Sequence, residues 1–179
     1  MAKKWNIDNA HSEIGFKVRH LMISTVRGKF NSFEGEMYMP EDDDFAKAAI
    51  SFSAQTASIN TSNEARDKHL QSADFFDTEK FPMLTFKSKN IVENSNGEFT
   101  VIGDFTMHGE TKEIKLSAVL NGITTGMDGV KVMSFDISGS LNRKDFGLVW
   151  NAPIEKGGVA VSEEVKFDII TEFKEEKES

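Results

Sequence analysis

Apolar and polar side chains alternate with a period of two along most of this chain. Ile14, Phe16, Val18 and His20 alternate with Glu13, Gly15, Lys17 and Arg19; Phe33, Gly35, Met37 and Met39 alternate with Glu34, Glu36 and Tyr38. Ile50, Phe52 and Ala54 form a third row, and Leu84 and Phe86 flank Thr85. The second half is cleaner. Phe99, Val101, Gly103, Phe105 and Met107 share one face, as do Ile114, Leu116, Ala118 and Leu120. Met133, Phe135, Ile137, Gly139 and Leu141 follow, and then Val165, Phe167, Ile169, Thr171 and Phe173. A period of two with one apolar face predicts half-buried antiparallel strands.

Several of these runs exceed the usual five or six residues, and ten residues of strand reach ~34 Å. Long meandering strands avoid exposed edges by closing on themselves. The expected fold is therefore all-β, an extended antiparallel barrel of about eight strands in a single domain over residues 1–179. A two-sheet sandwich shares the same periodicity. Connections such as His108-Gly109-Glu110 and Asn94-Ser95-Asn96-Gly97 have the chemistry of short turns. One segment departs from the strand pattern. Thr61-Ser62-Asn63-Glu64 has capping-box spacing, predicting a short helix from Thr61 to about Gln71 that covers part of the barrel. The tail from Lys174 to Ser179 reads as a frayed end.

Small residues interrupt the rows of large ones on the inner face: Gly35, Ala54, Gly103, Ala118 and Gly139. A packed core has reason to fill such places, because voids cost stability. Glycine also relieves strain where a barrel strand bends. Five such positions on five strands favour a cavity. The expectation is a continuous apolar tunnel lined by Phe16, Val18, Phe52, Phe86, Val101, Phe105, Leu116, Ile137 and Phe167.

Composition sharpens this picture at one point: phenylalanine occurs 15 times, against one Tyr and two Trp. Phe has no polar tip and suits an interior where nothing asks for a hydrogen bond. The net charge of −8 argues against nucleic acid as a partner and disfavours docking on anionic membranes. Absence of cysteine removes disulfides, thiolate metal sites and cysteine nucleophiles. The N-terminal MAKKWNIDNAHSEIGF lacks the apolar run of a signal peptide, and no stretch is apolar enough for a membrane helix. The sequence as written predicts a cytoplasmic protein without stable membrane insertion, or a periplasmic one if an export signal has been removed.

Candidate chemistry is sparse. His11, His20, His69 and His108 lie on separate elements with none of the close spacing of a zinc site, so no metal is expected. Arg66, Asp67 and His69 cluster on the predicted helix. A catalytic reading makes His69 a base oriented by Asp67, but no serine or threonine stands in a nucleophile elbow. The structural reading has Arg66 and Asp67 fixing the helix to strand ends. No catalytic residue and no cofactor is expected.

The ordered motifs resemble one family. They begin with Trp5-Asn6-Ile7-Asp8, then His11-Ser12-x-Ile14-x-Phe16-x-Val18-x-His20, Gly28-Lys29-Phe30 and Phe33-x-Gly35. The most specific stretch is Ser58-Ile59-Asn60-Thr61 with Arg66-Asp67-Lys68-His69-Leu70 and Ser72-Ala73-Asp74-Phe75-Phe76-Asp77, closed by Phe81-Pro82 and Phe86. Gly103-Asp104-Phe105-Thr106-x-His108-Gly109-x-Thr111 and Asn142-Arg143-Lys144-Asp145-Phe146-Gly147 complete it. From about Trp5 to Phe173 the chain resembles the YceI-like, polyisoprenoid-binding family, whose fold is a lipocalin-like extended β-barrel. The resemblance implies non-covalent binding, storage or transport of a long-chain isoprenoid or similar amphiphile, often by a homodimer, with the bound lipid as ligand and no shared catalytic activity. Its ligand would then meet the tunnel residues named above, the small residues Gly35, Ala54, Gly103, Ala118 and Gly139 between them, and His20, Arg66 and His69. A lipid-modifying enzyme acting at the barrel mouth and a stress-related interaction protein are the competing readings.

Overall fold

Long strands with one dry face curl until that face is enclosed, and the computed structural model of the protein shows such an enclosure. It describes residues 2–151 and 160–177. Eleven strands pair antiparallel throughout: β1 Ala2–Ile7, β2 Glu13–His20, β3 Ser24–Phe30, β4 Phe33–Pro40, β5 Ala49–Gln55, β6 Ile59–Asn60, β7 Met83–Ser95, β8 Glu98–Met107, β9 Glu110–Thr125, β10 Lys131–Asn142 and β11 Glu164–Glu175. Helix α1, Glu64–Gln71, lies between β6 and β7.

In space these strands make a closed barrel of eight. The first six form three broken staves. β11 divides one edge, pairing Phe173 with Ile7 of β1 and Phe167 with Phe16 of β2. β1 and β2 are thus a single stave interrupted at a short 3-10 turn, Asn9–His11, where the Asp8 carboxylate accepts from the Ala10 N–H. β3 and β4 form the second stave, pairing with β2 and β1 respectively. β5 and β6 form the third, on β4 and β3. From β7 to β11 the chain meanders. Among the described residues β5 pairs with β7 but β6 does not, so the wall opens at that level. Helix α1 and the buried pair Phe75 and Phe76 occupy the opening.

The two ends of the barrel differ. At one end Trp5, Met37, Met39, Met133 and Phe135 are almost entirely shielded from solvent. Phe45, on the β4–β5 connection, folds across this end and packs on Phe135 at 4.4 Å and on Phe99 at 4.9 Å between ring centroids. Asp43 on the same connection pairs with Lys131 of β10 at 2.7 Å. At the other end Phe16, Val18, Phe52, Ile137 and Phe167 face inward yet are only half-buried. Solvent reaches them from inside. The interior is therefore a blind cavity with an aromatic floor and not a continuous tunnel.

The helix begins later than its capping-box spacing suggests. Asn63 is the N-cap, its side chain accepting from the Arg66 N–H at 3.0 Å. Thr61 is buried and turned inward instead, which the box pattern did not distinguish because Thr, Ser and Asn all cap well. Strands β1 and β3 carry pairing that the alternation did not single out. Lys174 and Glu175 continue β11 against β1, so that part of the tail is not frayed; residues 178–179 lie outside the described residues.

Of the five small inner residues, Ala54, Gly103 and Gly139 do not border the cavity. A Cβ on Gly103 would collide with the Lys87 carbonyl oxygen and come within 2.6 Å of the Phe86 ring. This glycine sits opposite Ser88, where the β7–β8 register shifts, and the Phe86 ring covers it. At Gly139 a Cβ would meet Leu116 at 2.8 Å. Large neighbours lie across these glycines, so the missing side chains admit close packing between strands. Gly103→Ala should accordingly destabilise the barrel by ~1–3 kcal/mol. Urea unfolding read by tryptophan fluorescence checks this, and an unchanged midpoint would show that Phe86 and Lys87 yield freely.

Candidate functional site

The cavity encloses about 390 Å³, within the range of small-ligand sites. β2 contributes Phe16 and Val18, β5 Phe52, β7 Phe86, β8 Val101 and Phe105, β9 Leu116 and Ala118, β10 Ile137, and β11 Phe167. Gly35, His20, Arg66 and His69 also line it, whereas Ala54, Gly103 and Gly139 do not. Ala54 is fully buried within the packed wall. Period-two alternation explains the convergence, because every second side chain of each stave points to the axis. At the floor stand Phe45, Phe135 and Phe173. Polar groups in the deep wall are few. Thr171 is buried, lines the cavity, and among the described residues has no hydrogen-bond partner for its Oγ1.

The polar lining residues gather at the mouth. Arg19 and His20 come from the end of β2, Arg66 and His69 from α1, and Arg143 from the turn after β10. Arg66 donates through Nε to Thr61 Oγ1 at 2.7 Å and through Nη2 to the Thr61 carbonyl at 2.6 Å. Asp67 accepts from the Thr61 N–H at 2.9 Å and from its hydroxyl. Thr61 is thus the peg to which both helix charges are tied, directly after β6. His69 Nε2 contacts Asp74 at 2.8 Å, while its ring packs edge-on against Phe75 and Trp150. Asp67 therefore belongs to Thr61 and His69 to Asp74, and the acid–base pair of the catalytic reading is not assembled.

Motif comparison marked Arg143, but its function in the mouth was not legible from sequence. It is 3% exposed. Its Nε donates to the Ser162 carbonyl at 2.9 Å, and Nη1 donates to those of Leu148 at 2.7 Å and Trp150 at 2.8 Å. Nη2 reaches the Val161 carbonyl at 3.3 Å. Burial lowers the guanidinium pKa, with Glu163 acting the other way, but the group stays charged because its reference value is so high. The planar fork reaches four carbonyls of two irregular segments, of which that of Val161 also accepts from the Asn151 side-chain amide at 2.7 Å. It thereby holds 148–150 and 161–162 together as part of the rim. The second segment is tied in turn to the β2–β3 hairpin: the Leu21 N–H donates to the Ala160 carbonyl at 2.9 Å and the Ser162 N–H to that of Arg19 at 3.0 Å.

His11 and His108 lie away from the cavity lining. His108 Nδ1 contacts the Phe146 carbonyl at 3.0 Å and its ring packs on Phe81. His11, Asp8 and Glu172 bring ligand-type atoms within 4.8 Å of one another. The Lys174 ammonium, 3.4 Å from the Asp8 carboxylate, already places a cation there. A hydrogen bond to Asp8, reinforced by the Asp8 and Glu172 charges, raises the His11 pKa. Burial works to raise the Asp8 pKa, but hydrogen bonds from His11, the Ala10 N–H and Lys174 overcome it and hold it low.

Two outcomes follow. Arg143→Leu leaves several buried carbonyls without donors and should cost ~3 kcal/mol or more; Arg143→Lys should recover little, since one ammonium cannot span them. Urea midpoints of the two variants decide this, and wild-type stability in either would discount the clamp. His11 has a raised folded pKa, so its contribution is full below its unfolded value of about 6.5 and is lost as pH rises through the folded value. The stability difference between wild type and His11→Gln should accordingly shrink on going from acid to mildly alkaline pH, which thermal melts across that range can test.

Comparison with known proteins gives consistent matches. The YceI-like domain model matches residues 5–173. A UPF0312 protein of Staphylococcus aureus strain N315 is 38% identical over 174 residues, covering 94% of this chain and 96% of that protein. One from Staphylococcus epidermidis strain RP62A is 39% identical over 171 residues, covering 95% and 96%. Among solved structures, the Campylobacter jejuni YCEI protein aligns at a TM-score of 0.76 and 32% identity, with 96% of each chain covered. A polyisoprenoid binding domain from Saccharophagus degradans, implicated in plant cell wall breakdown, shares the fold at a TM-score of 0.69 and 12% identity, covering 96% of this chain and 98% of that one.

Proposed function

The chain belongs to the YceI-like family, and on that premise we propose that it binds a long-chain isoprenoid lipid or similar amphiphile in the blind cavity, as a carrier or store and not as an enzyme. One observation supports this reading above others. Large inward-facing side chains on β2, β5, β10 and β11 are only half-buried, although a packed barrel would have closed over them. An apolar chain entering the mouth would remove that surface from water, contributing ~0.8 kcal/mol per buried methylene. The Saccharophagus degradans neighbour, a polyisoprenoid binding domain, points to the same ligand class.

The distribution of polar groups orients the ligand. Arg19, His20, Arg66 and His69 line the mouth, so the head group rests there while the chain runs toward Phe45 and Phe135. Thr61 and the rim carbonyls already engage Arg66 and Arg143. Arg19 is likewise bonded to the Met22 carbonyl and Thr25 Oγ1, which leaves His20 as the rim group best placed for a head group, anionic or a neutral quinone. Affinity comes chiefly from chain burial, which favours selection by chain length over selection by head group.

Mass spectrometry of organic extracts from the purified protein tests the proposal. The expected result is a near-stoichiometric prenyl lipid, or uptake of one from detergent micelles when the protein is isolated empty. Ile137→Trp, which places an indole in the cavity across from Ala118, should sharply reduce the lipid recovered while leaving the urea midpoint nearly unchanged. A protein that holds no lipid and takes none up would overturn the assignment.

A further inference from the structure

The tip of the β2–β3 hairpin breaks two local rules at once. Leu21, Met22 and Ile23 are 37%, 53% and 79% exposed. Leu21 and Met22 both have positive φ, 51° and 63°, in a turn closed by the Ile23 N–H on the His20 carbonyl at 3.1 Å. Asn and Gly fill such positions readily, whereas large aliphatic side chains are disfavoured there. Neither turn geometry nor solvation favours this tripeptide where it stands. Strain and apolar exposure concentrated at one point indicate a site kept for something outside the barrel.

Its surroundings indicate what that is. Residues 14–33 contain Lys17, Arg19, Arg27 and Lys29 and no acidic residue, in a chain whose net charge is −8. Arg27 and Lys29 pair with Asp168 and Glu13. Lys17 and Arg19 have no carboxylate partner among the described residues, and Arg19 braces the tip by donating to the Met22 carbonyl and Thr25 Oγ1, each at 3.2 Å. Val18 and Val26 of the same hairpin line the cavity, and only the Arg19–Thr25 and His20–Ser24 pairs separate them from the tip. Val149, 61% exposed, stands on the neighbouring rim segment that Arg143 holds.

We propose that this hairpin tip docks the cavity mouth onto an anionic lipid bilayer, with Met22 and Ile23 entering the boundary between headgroups and acyl chains. Lys17 and Arg19 meet the lipid phosphates, and the isoprenoid passes between bilayer and barrel without crossing water. The assignment rests on the isoprenoid-binding reading. It also reverses, at one end of the molecule, the expectation drawn from net charge: the acidic remainder is repelled, which orients the protein tip-first and keeps the contact reversible and salt-sensitive.

Co-sedimentation with vesicles of phosphatidylcholine and phosphatidylglycerol tests docking, and uptake of a fluorescent prenyl lipid from those vesicles or from detergent micelles tests delivery. Met22→Asp/Ile23→Asp should weaken vesicle binding by about tenfold or more and slow uptake from vesicles, with uptake from micelles unchanged. Leu21→Asn/Met22→Gly, which suits the turn, should melt higher than wild type and still lose vesicle binding, separating docking from folding. Wild-type protein that fails to sediment with these vesicles, or variants that load from them at the wild-type rate, would overturn the proposal. If the Asp variant instead loses a dimer seen by analytical ultracentrifugation, with vesicle binding intact, the tip is a contact between copies and the membrane assignment falls. Failure of wild-type uptake from both sources would sink the isoprenoid reading separately, with docking still decided by co-sedimentation.

Discussion

One edge of β11 serves two strands, and the form of the barrel follows from that division. Residues 173–175 hold β1 and residues 166–170 hold β2. The chain between them must leave the ladder and return, which it does through the Asn9–His11 turn capped by Asp8. The same break passes to the next staves, because β4 follows β1 and β3 follows β2. By the third stave only Ile59 and Asn60 remain to pair on the mouth side. A ladder that thins in this way cannot reach β7, and the wall opens there. Helix α1 and Phe75–Phe76 occupy the opening without filling the interior. Cavity and mouth are thus consequences of how the closing seam is shared.

Opening a wall exposes backbone groups that a complete ladder would have satisfied, and a single side chain answers much of this need. Arg143 gathers carbonyls from Leu148, Trp150, Val161 and Ser162. A carboxylate partner would have balanced its charge, but at the rim the demand is for donors with fixed directions, which a guanidinium provides. Thr61 performs the complementary task at α1, offering two donors to Asp67 and two acceptors to Arg66. The rim is held by polar bonds so that the wall behind it can remain bare.

Much of this was legible in the sequence. Alternation fixed which residues of β8, β9, β10 and β11 face inward, because a half-buried strand leaves little freedom in phase. Most of the residues expected around the ligand do line the cavity. Gly103 and Gly139 misled, since a missing side chain looks the same in sequence whether it leaves space or admits a neighbour's side chain. Only the position of Phe86 over Gly103 separates the two. The N-cap was misplaced by two residues because Thr61 and Asn63 are both competent caps, and the demand of Asp67 for donors drew Thr61 inward. The floor was not foreseen. Phe45 lies in an irregular connection, where no periodicity assigns a side chain to the interior.

The two ends of the barrel show opposite solutions to the same surplus of apolar surface. At the floor, Trp5, three methionines and the tilted and edge-to-face phenylalanines bury one another, and flexible methionine fills the irregular gaps. At the mouth the surplus is left open, on the cavity wall and again on Leu21–Ile23. A sequence selected only for stability would have extended the floor's packing upward and placed Asn-Gly in the hairpin. Neither change demands a new fold, since the staves and their pairing would be unaltered. That both were forgone at the same end, around the same opening, joins the empty wall and the strained tip into one functional surface. The closed end supplies the stability that permits it.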